Sequence, residues 1–165
     1  MRVNIRILFM TGALLLGART ASAETVTSTA RIVVPLVATS GTNLRFGNIA
    51  ASAAAGTVTV TAASVRSAAG GASLVAGATS GAGVITISAG EPSRVLNITY
   101  PASGTLTSGA NTMTVNNFAA SGSPTTTTLT AAGTGTFNIG GRVNVGASQA
   151  TGNYSGTFTV TLTYQ

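Results

Sequence analysis

Residues able to carry acid–base or metal chemistry are scarce in this chain. Its 165 residues include no His and no Cys, and the only acidic side chains are those of Glu24 and Glu91. General acid–base catalysis draws mainly on His, Asp, Glu, Lys, Tyr and Cys. Zinc sites require His or Cys ligands, and a calcium site requires several carboxylates. We therefore expect no enzyme, no metal and no cofactor, and we interpret Glu91, which precedes Pro92, as a solvated turn residue.

The remaining polar groups do not change that expectation. Ser and Thr are abundant, but the chain offers no base to activate their hydroxyls. The glycine-rich residues 133–141 contain no Lys and no predicted helix, so they indicate turns and close strand packing rather than a phosphate loop. The basic residues are all arginines and are scattered singly. Nucleic-acid binding normally needs a clustered basic patch, so no nucleic-acid partner is predicted.

The first residues have the pattern of a secretion signal. Arg2 and Arg6 form a basic start, residues 7–18 are apolar, and residues 21–23 read Ala-Ser-Ala. This pattern predicts a signal peptide over residues 1–23 with cleavage before Glu24. The protein is then expected to be secreted. The apolar run is too short to cross a bilayer comfortably, and no membrane span is predicted in the mature chain.

The rest of the chain alternates apolar and polar residues at the period of a β-strand. Only 6% of its residues are charged, and solubility of a free monomer normally depends on charge. That scarcity indicates a surface that is covered by neighbouring molecules. Nine or ten short strands separated by turn residues predict an antiparallel β-sandwich.

A long apolar strand is predicted at residues 25–38. Pro35 has no backbone N–H, which suits an edge position or a strand inserted into a partner. Whether its own domain or the next copy of the protein buries this strand is left open by the pattern. The face with the strongest apolar character carries these residues: Val26, Ser28, Ala30, Ile32, Val34, Leu36 and Ala38.

The following strands are shorter. A turn is predicted at residues 40–42, a loop at 50–56 and a further turn at 67–71. The predicted strands cover residues 43–49, 57–61, 72–76, 83–88, 93–100, 111–118, 125–128 and, in two short pieces, 135–145. The last strand, at residues 154–165, shows the clearest alternation, and its apolar face carries Tyr154, Gly156, Phe158, Val160, Leu162 and Tyr164.

Two stretches carry a resemblance to known proteins. They are LRFGNI at residues 44–49 and GGRVNVGASQATGNYSGTFTVTLTY at residues 140–164, behind a secretion signal and an apolar first strand. With these features the chain resembles a family of bacterial secreted domains of unknown function. It is also similar to the spore-coat-U-type subunits of archaic chaperone–usher pili, and the likeness extends over residues 25–165.

That resemblance implies a fold and a way of assembly. The fold would be an all-β, antiparallel immunoglobulin-like sandwich (residues 39–165) that is completed by a donor strand (residues 24–38) from a neighbouring subunit. The implied partners are further copies of the protein in a head-to-tail homopolymer, a periplasmic chaperone and an outer-membrane usher. The implied donor residues are Val26, Ala30, Ile32, Val34 and Leu36. The implied acceptor groove contains Phe158, Val160, Leu162 and Tyr164.

Two alternative functions are therefore predicted. The first is a structural subunit of a surface filament that polymerises by exchange of its N-terminal strand. The second is a self-contained secreted sandwich that binds glycans or a cell-surface component. Carbohydrate sites usually expose aromatic side chains, and the candidates here are Tyr100, Phe118, Tyr154 and Tyr164, which could equally belong to the core.

Overall fold

The computed structural model describes residues 29–123 and 125–165. The predicted signal peptide and residues 24–28 of the predicted donor strand, including Val26, lie outside the described residues. The chain divides into two units, Met1–Ile32 and Val33–Gln165. In the first unit, the described residues 29–32 form neither helix nor strand and are exposed. The second unit contains the fold that follows.

Ten β-strands occur in the described part of the chain. No helix occurs among these residues, so none is present that could cross a membrane. The strands are β1 (Val37–Thr42), β2 (Arg45–Val60), β3 (Arg66–Gly81), β4 (Gly83–Ala89), β5 (Val95–Thr99), β6 (Ser103–Ser108), β7 (Asn111–Ala120), β8 (Thr126–Thr128), β9 (Gly135–Val145) and β10 (Thr161–Tyr164).

The strands form two antiparallel sheets. The larger sheet has the order β1-β4-β9-β2-β3, and β7 also pairs with β9 and carries β6 on its other edge. The smaller sheet has the order β10-β5-β8. The prediction of an all-β antiparallel sandwich is confirmed.

Strand β9 forms the centre of the core. Its alternate residues Phe137, Ile139, Val143 and Val145 are all at most 4% exposed. The first two join a cluster that includes residues of β4 and β5, and the last two join a second cluster with residues of β2 and β7. Burying one such side chain stabilises the fold by about 1.5–3 kcal/mol. Alternate residues of β9 therefore contribute to both core clusters.

Strands β2 and β3 form one long hairpin that the sequence did not predict. The predicted loop at residues 50–56 and the predicted turn at residues 67–71 are wrong, because both stretches lie within these strands. Their glycines allow the two strands to approach each other closely. A Cβ atom at Gly56 would lie 2.7 Å from the carbonyl oxygen of Ala69. The register shift between Ala51 and Gly56 marks an irregularity in the hairpin.

The first strand also differs from its prediction. Residues 29–36 are not in a strand, and β1 begins at Val37. The predicted turn at residues 40–42 is wrong, because Ser40 pairs with Ile85 and Thr42 pairs with Val84 of β4. The backbone pairing with β4 determines where β1 lies. All six side chains of β1 are exposed, so their burial does not define the strand.

Candidate functional site

The predicted acceptor residues lie on one face of the last segment. Phe158, Val160, Leu162 and Tyr164 are half-buried and pack against the core cluster around Ile87. The threonines that alternate with them, at 157, 159, 161 and 163, are exposed. The alternation predicted from the sequence is therefore present, and it directs the apolar side chains of this segment towards the sandwich interior.

The backbone of this segment is only partly paired. Strand β10 pairs with β5, and Ser155 bonds Thr107 of β6 through two backbone hydrogen bonds of 2.8 and 3.0 Å. Between these two anchors, residues 156–160 make no backbone hydrogen bond within the described part of the chain. The predicted strand at residues 154–165 is thus confirmed as a strand only at Thr161–Tyr164. Unpaired extended backbone is a template for pairing with another strand.

A large cavity lies beside the unpaired residues. It has a volume of about 1220 Å³, and Phe158 and Val160 form part of its wall. Protein interiors are normally close-packed, with few voids larger than a water molecule. Small-molecule pockets typically measure about 300–1,000 Å³. This cavity is larger, and further apolar residues in its wall come from the larger sheet and from the residue just before β2: Leu44, Phe46, Ile85, Ile139 and Val143.

The LRFGNI stretch supplies one wall of the cavity. Leu44, Phe46 and Ile49 are half-buried and line it. Gly47 has a φ of 71°, in the left-handed region that favours glycine. The sequence predicted a strand here and a break at Gly47, but it did not assign these residues to the site. The glycine was the signal that could have revealed the bend.

Arg66 holds that bend in place. Its guanidinium donates hydrogen bonds to the carbonyl oxygens of Phe46 (2.9 Å), Asn48 (3.4 Å) and Val75 (3.2 Å). Hydrogen bonds from a charged donor are stronger than neutral ones. A side chain at Gly47 would overlap the guanidinium group. Because Gly47 has no side chain, the Arg66 guanidinium fits beside it and can hold this part of the cavity wall by hydrogen bonds.

Three aromatic rings connect the unpaired segment to the core. Phe118 stacks on Phe158 with ring centroids 4.3 Å apart, and on Tyr100 at 6.2 Å. All three rings are half-buried. Tyr154, also half-buried, donates its hydroxyl hydrogen to the carbonyl oxygen of Ala150 at 2.8 Å. Three of the four candidates for carbohydrate binding, Tyr100, Phe118 and Tyr154, are thus packed against the protein.

The Tyr100 hydroxyl has no hydrogen-bond partner among the described residues. Burial raises the pKa of Tyr100 from 10.0 to about 12, because desolvation disfavours the phenolate. The unfolded chain therefore loses this proton at lower pH than the folded protein does. The stability that results is complete below pH 10 and is lost as the pH rises towards the folded pKa.

We therefore expect the Tyr100→Phe variant to lose less stability between pH 8 and pH 11 than the natural protein. At pH 8 the variant should be as stable or slightly more stable, because it removes a buried hydroxyl without a partner. Urea unfolding at the two pH values measures both effects. An equal loss in the two proteins would contradict the assignment of this titration to Tyr100.

The predicted donor residues fall into two groups. Ala30 and Ile32 are exposed, and Ile32 is 96% exposed. Val34 is 42% exposed, but its backbone is hydrogen-bonded to Glu91 and Tyr164. Leu36 is half-buried and packs against the core cluster of its own domain.

Glu91 does more than the sequence indicated. It is half-buried, and its carboxylate accepts a hydrogen bond from the backbone N–H of Val34 at 3.1 Å. It also begins the predicted turn, since its carbonyl oxygen accepts from the backbone N–H of Arg94 at 3.4 Å. The interpretation as a turn residue is confirmed. The interpretation of Glu91 as a merely solvated residue is wrong, because its carboxylate contacts Val34. Val34 belongs to the predicted donor strand, residues 24–38, which we call the N-terminal segment.

Comparison with known families places the chain. The family model described as "Domain of unknown function (DUF4402)" matches residues 36–164, more than three quarters of the sequence. The chain therefore belongs to this family. No curated protein and no solved structure shows a significant match to it. The matched region starts at Leu36 and includes both the cavity and the unpaired segment.

Proposed function

We propose that this protein is a structural subunit of a bacterial surface filament. The N-terminal segment of one copy is added as a strand along residues 156–160 of the next copy. One observation carries this proposal: five consecutive residues without backbone hydrogen bonds, within the described chain, lie beside a cavity of about 1220 Å³ that has apolar side chains in its wall. Strand addition would satisfy the backbone groups and fill the cavity with alternate side chains at the same time.

Residues 29–33 are exposed, and the N-terminal segment has apolar side chains that the cavity could accept. Ile32 is 96% exposed, and Val26 and Ala30 share its predicted face. Full burial of a side chain such as that of Val or Ile is worth about 1.5–3 kcal/mol. The donor and acceptor surfaces are different, so each copy keeps one of each free. Such a heterologous contact generates an open fibre when its rotation does not close a ring.

Secretion and partners complete the proposal. The basic and apolar start of the chain supports export through the periplasm to the cell surface. An unpaired apolar edge invites wrong pairing during transit. A periplasmic chaperone would cover it until the next subunit arrives, and an outer-membrane usher would release the growing filament. The shortage of acidic groups and the lack of His and Cys support a structural rather than an enzymatic role.

The substitution Ile32→Asp tests this proposal. Ile32 is almost fully exposed in the single subunit, so the free energy of unfolding should change by no more than about 0.5 kcal/mol. In a filament the same side chain would carry an unpaired charge against the apolar side chains of the cavity wall, which is strongly unfavourable. We expect filaments to disappear in electron micrographs and ladders to disappear from unboiled SDS gels.

Val65→Asp is the matched control. Val65 is 62% exposed and lies in the turn between β2 and β3, away from the N-terminal segment in sequence. The same chemical change there should leave the filaments intact. Filaments that persist with Ile32→Asp would contradict strand addition by this segment.

A further inference from the structure

We propose that Glu91 and Tyr164 form a clasp that divides the N-terminal segment between two subunits. Residues from Val34 onward stay in their own domain, and only residues up to Val33 are donated to the neighbour. This inference rests on the proposed function and narrows it, because Val34 and Leu36 are removed from the predicted donor set. Glu91 and Tyr164 are then positioning residues that fix where the donated segment leaves its domain.

Three hydrogen bonds make up the clasp. The Glu91 carboxylate accepts from the backbone N–H of Val34 at 3.1 Å. The Tyr164 hydroxyl donates to the carbonyl oxygen of Val34 at 2.9 Å and accepts from the backbone N–H of Glu91 at 2.7 Å. Both backbone groups of Val34 are therefore satisfied within its own domain.

The clasp replaces a partner strand at a single residue. In an antiparallel ladder a hydrogen-bonded residue uses its N–H and its C=O together on one opposite residue. At Val34 a carboxylate oxygen and a phenolic hydroxyl take those two roles. Pro35, the next residue, has no N–H to offer to a further strand. This arrangement holds the backbone without extending a ladder along it.

Leu36 fastens the segment on the other side of Pro35. Its side chain packs against the core cluster that contains Leu129. The Cδ1 atoms of Leu36 and Leu129 lie 3.2 and 2.6 Å from the position that a Cβ atom on Gly90 would take. Donation of Leu36 would remove an apolar side chain from its own core and leave a cavity there. Val34 and Leu36 thus hold this part of the segment in its own domain by independent contacts.

Cross-linking of assembled filaments distinguishes the two divisions of the segment. The chain has no Cys, so introduced thiols are unique. The double variant Leu36→Cys with Leu129→Cys is assembled and treated with dibromobimane, a small reagent that alkylates two neighbouring thiols with loss of two bromide ions. We expect cross-links within one chain, seen as monomers with altered mobility on denaturing gels. Co-assembly of the two single variants is the matched control, and it should give no covalent dimers. Covalent dimers from that mixture would overturn the proposal.

Hydrogen exchange tests the clasp in a subunit that does not assemble. In the full chain carrying Ile32→Asp, the Val34 amide should be protected. The further substitution Glu91→Ala should increase its exchange rate at least tenfold, because its acceptor is removed. Glu91→Gln keeps an acceptor oxygen and should retain most of the protection. Tyr164→Phe should also accelerate exchange at Val34. Unchanged exchange in both Glu91→Ala and Tyr164→Phe would overturn the clasp.

The two failures are distinguishable. If the filament proposal is wrong, the natural protein forms no filaments, and the exchange measurement still decides whether the clasp exists. If the clasp is wrong, filaments form but either the mixed single-cysteine subunits cross-link or exchange at Val34 does not respond.

Discussion

Replacing Gly47 by alanine is expected to destabilise the protein by about 3 kcal/mol. A left-handed φ costs a non-glycine residue about 1–2 kcal/mol, and Gly47 has a φ of 71°. The added methyl group would also overlap the guanidinium of Arg66. Displacing that group endangers its bonds to the carbonyl oxygens of Phe46, Asn48 and Val75, and a hydrogen bond to a charged group contributes about 1.5–3 kcal/mol.

Gly109→Ala is the control that isolates the backbone contribution. Gly109 has a φ of 58°, and a Cβ atom there would have no neighbour within 4 Å. It should lose only the conformational part, about 1–2 kcal/mol. Urea unfolding of both variants measures the difference. Equal losses would mean that the Arg66 contact contributes nothing to stability.

Replacing Phe118 by alanine is expected to cost about 2–4 kcal/mol. Truncation of a buried Phe costs about 3–5 kcal/mol, and the expected loss is about 1 kcal/mol smaller because Phe118 is only half-buried. Phe118 is the middle ring of the stack, with Phe158 at 4.3 Å and Tyr100 at 6.2 Å. Its loss also removes the support of Phe158 beside the cavity, so the filament formation proposed above should weaken.

Phe118→Leu keeps most of the volume but removes the ring. Aromatic pairs contribute about 0.5–1.5 kcal/mol beyond the area that they bury. The leucine variant should therefore lose clearly less stability than the alanine variant. Thermal unfolding ranks the two, and a leucine variant as unstable as the alanine one would place the whole effect in the ring stacking rather than in the lost volume.

Strands with strong alternation were predictable from the sequence. Strands β5 and β7 lie where β-branched or apolar residues alternate with polar ones. The predicted faces of the last segment are also correct, since Phe158 is half-buried and Thr159 is exposed. Periodicity reports which side of a strand is buried. It does not report whether the backbone is paired, and residues 156–160 show the difference.

Glycine and small residues account for most of the errors. Gly140 and Gly141 were taken to divide two short strands, but β9 continues through them. A Cβ atom at Gly140 would lie 2.5 Å from the carbonyl oxygen of Val60, so this glycine permits close packing. β6 carries few apolar residues and was not predicted at all. The same residue types mark turns and close approaches, and only the neighbouring strand decides between them.

The candidate site was predictable on one side only. The acceptor face at Phe158 and Val160 follows from alternation, whereas the facing wall depends on distant parts of the chain. The bonds from Arg66 to Phe46 and from Tyr164 to Val34 join residues far apart in sequence. No pattern in the local sequence predicts such contacts.

The position of β9 has a consequence for how the protein reaches its folded state. This strand pairs with β2, β4 and β7 and lies at the centre of the larger sheet, yet it is the ninth of ten strands in the described chain. Earlier strands emerge from synthesis before their central partner does. Pairings between distant residues are formed slowly, because the intervening chain must be closed first. We therefore expect the larger sheet to close only after residues 135–145 have become available for pairing.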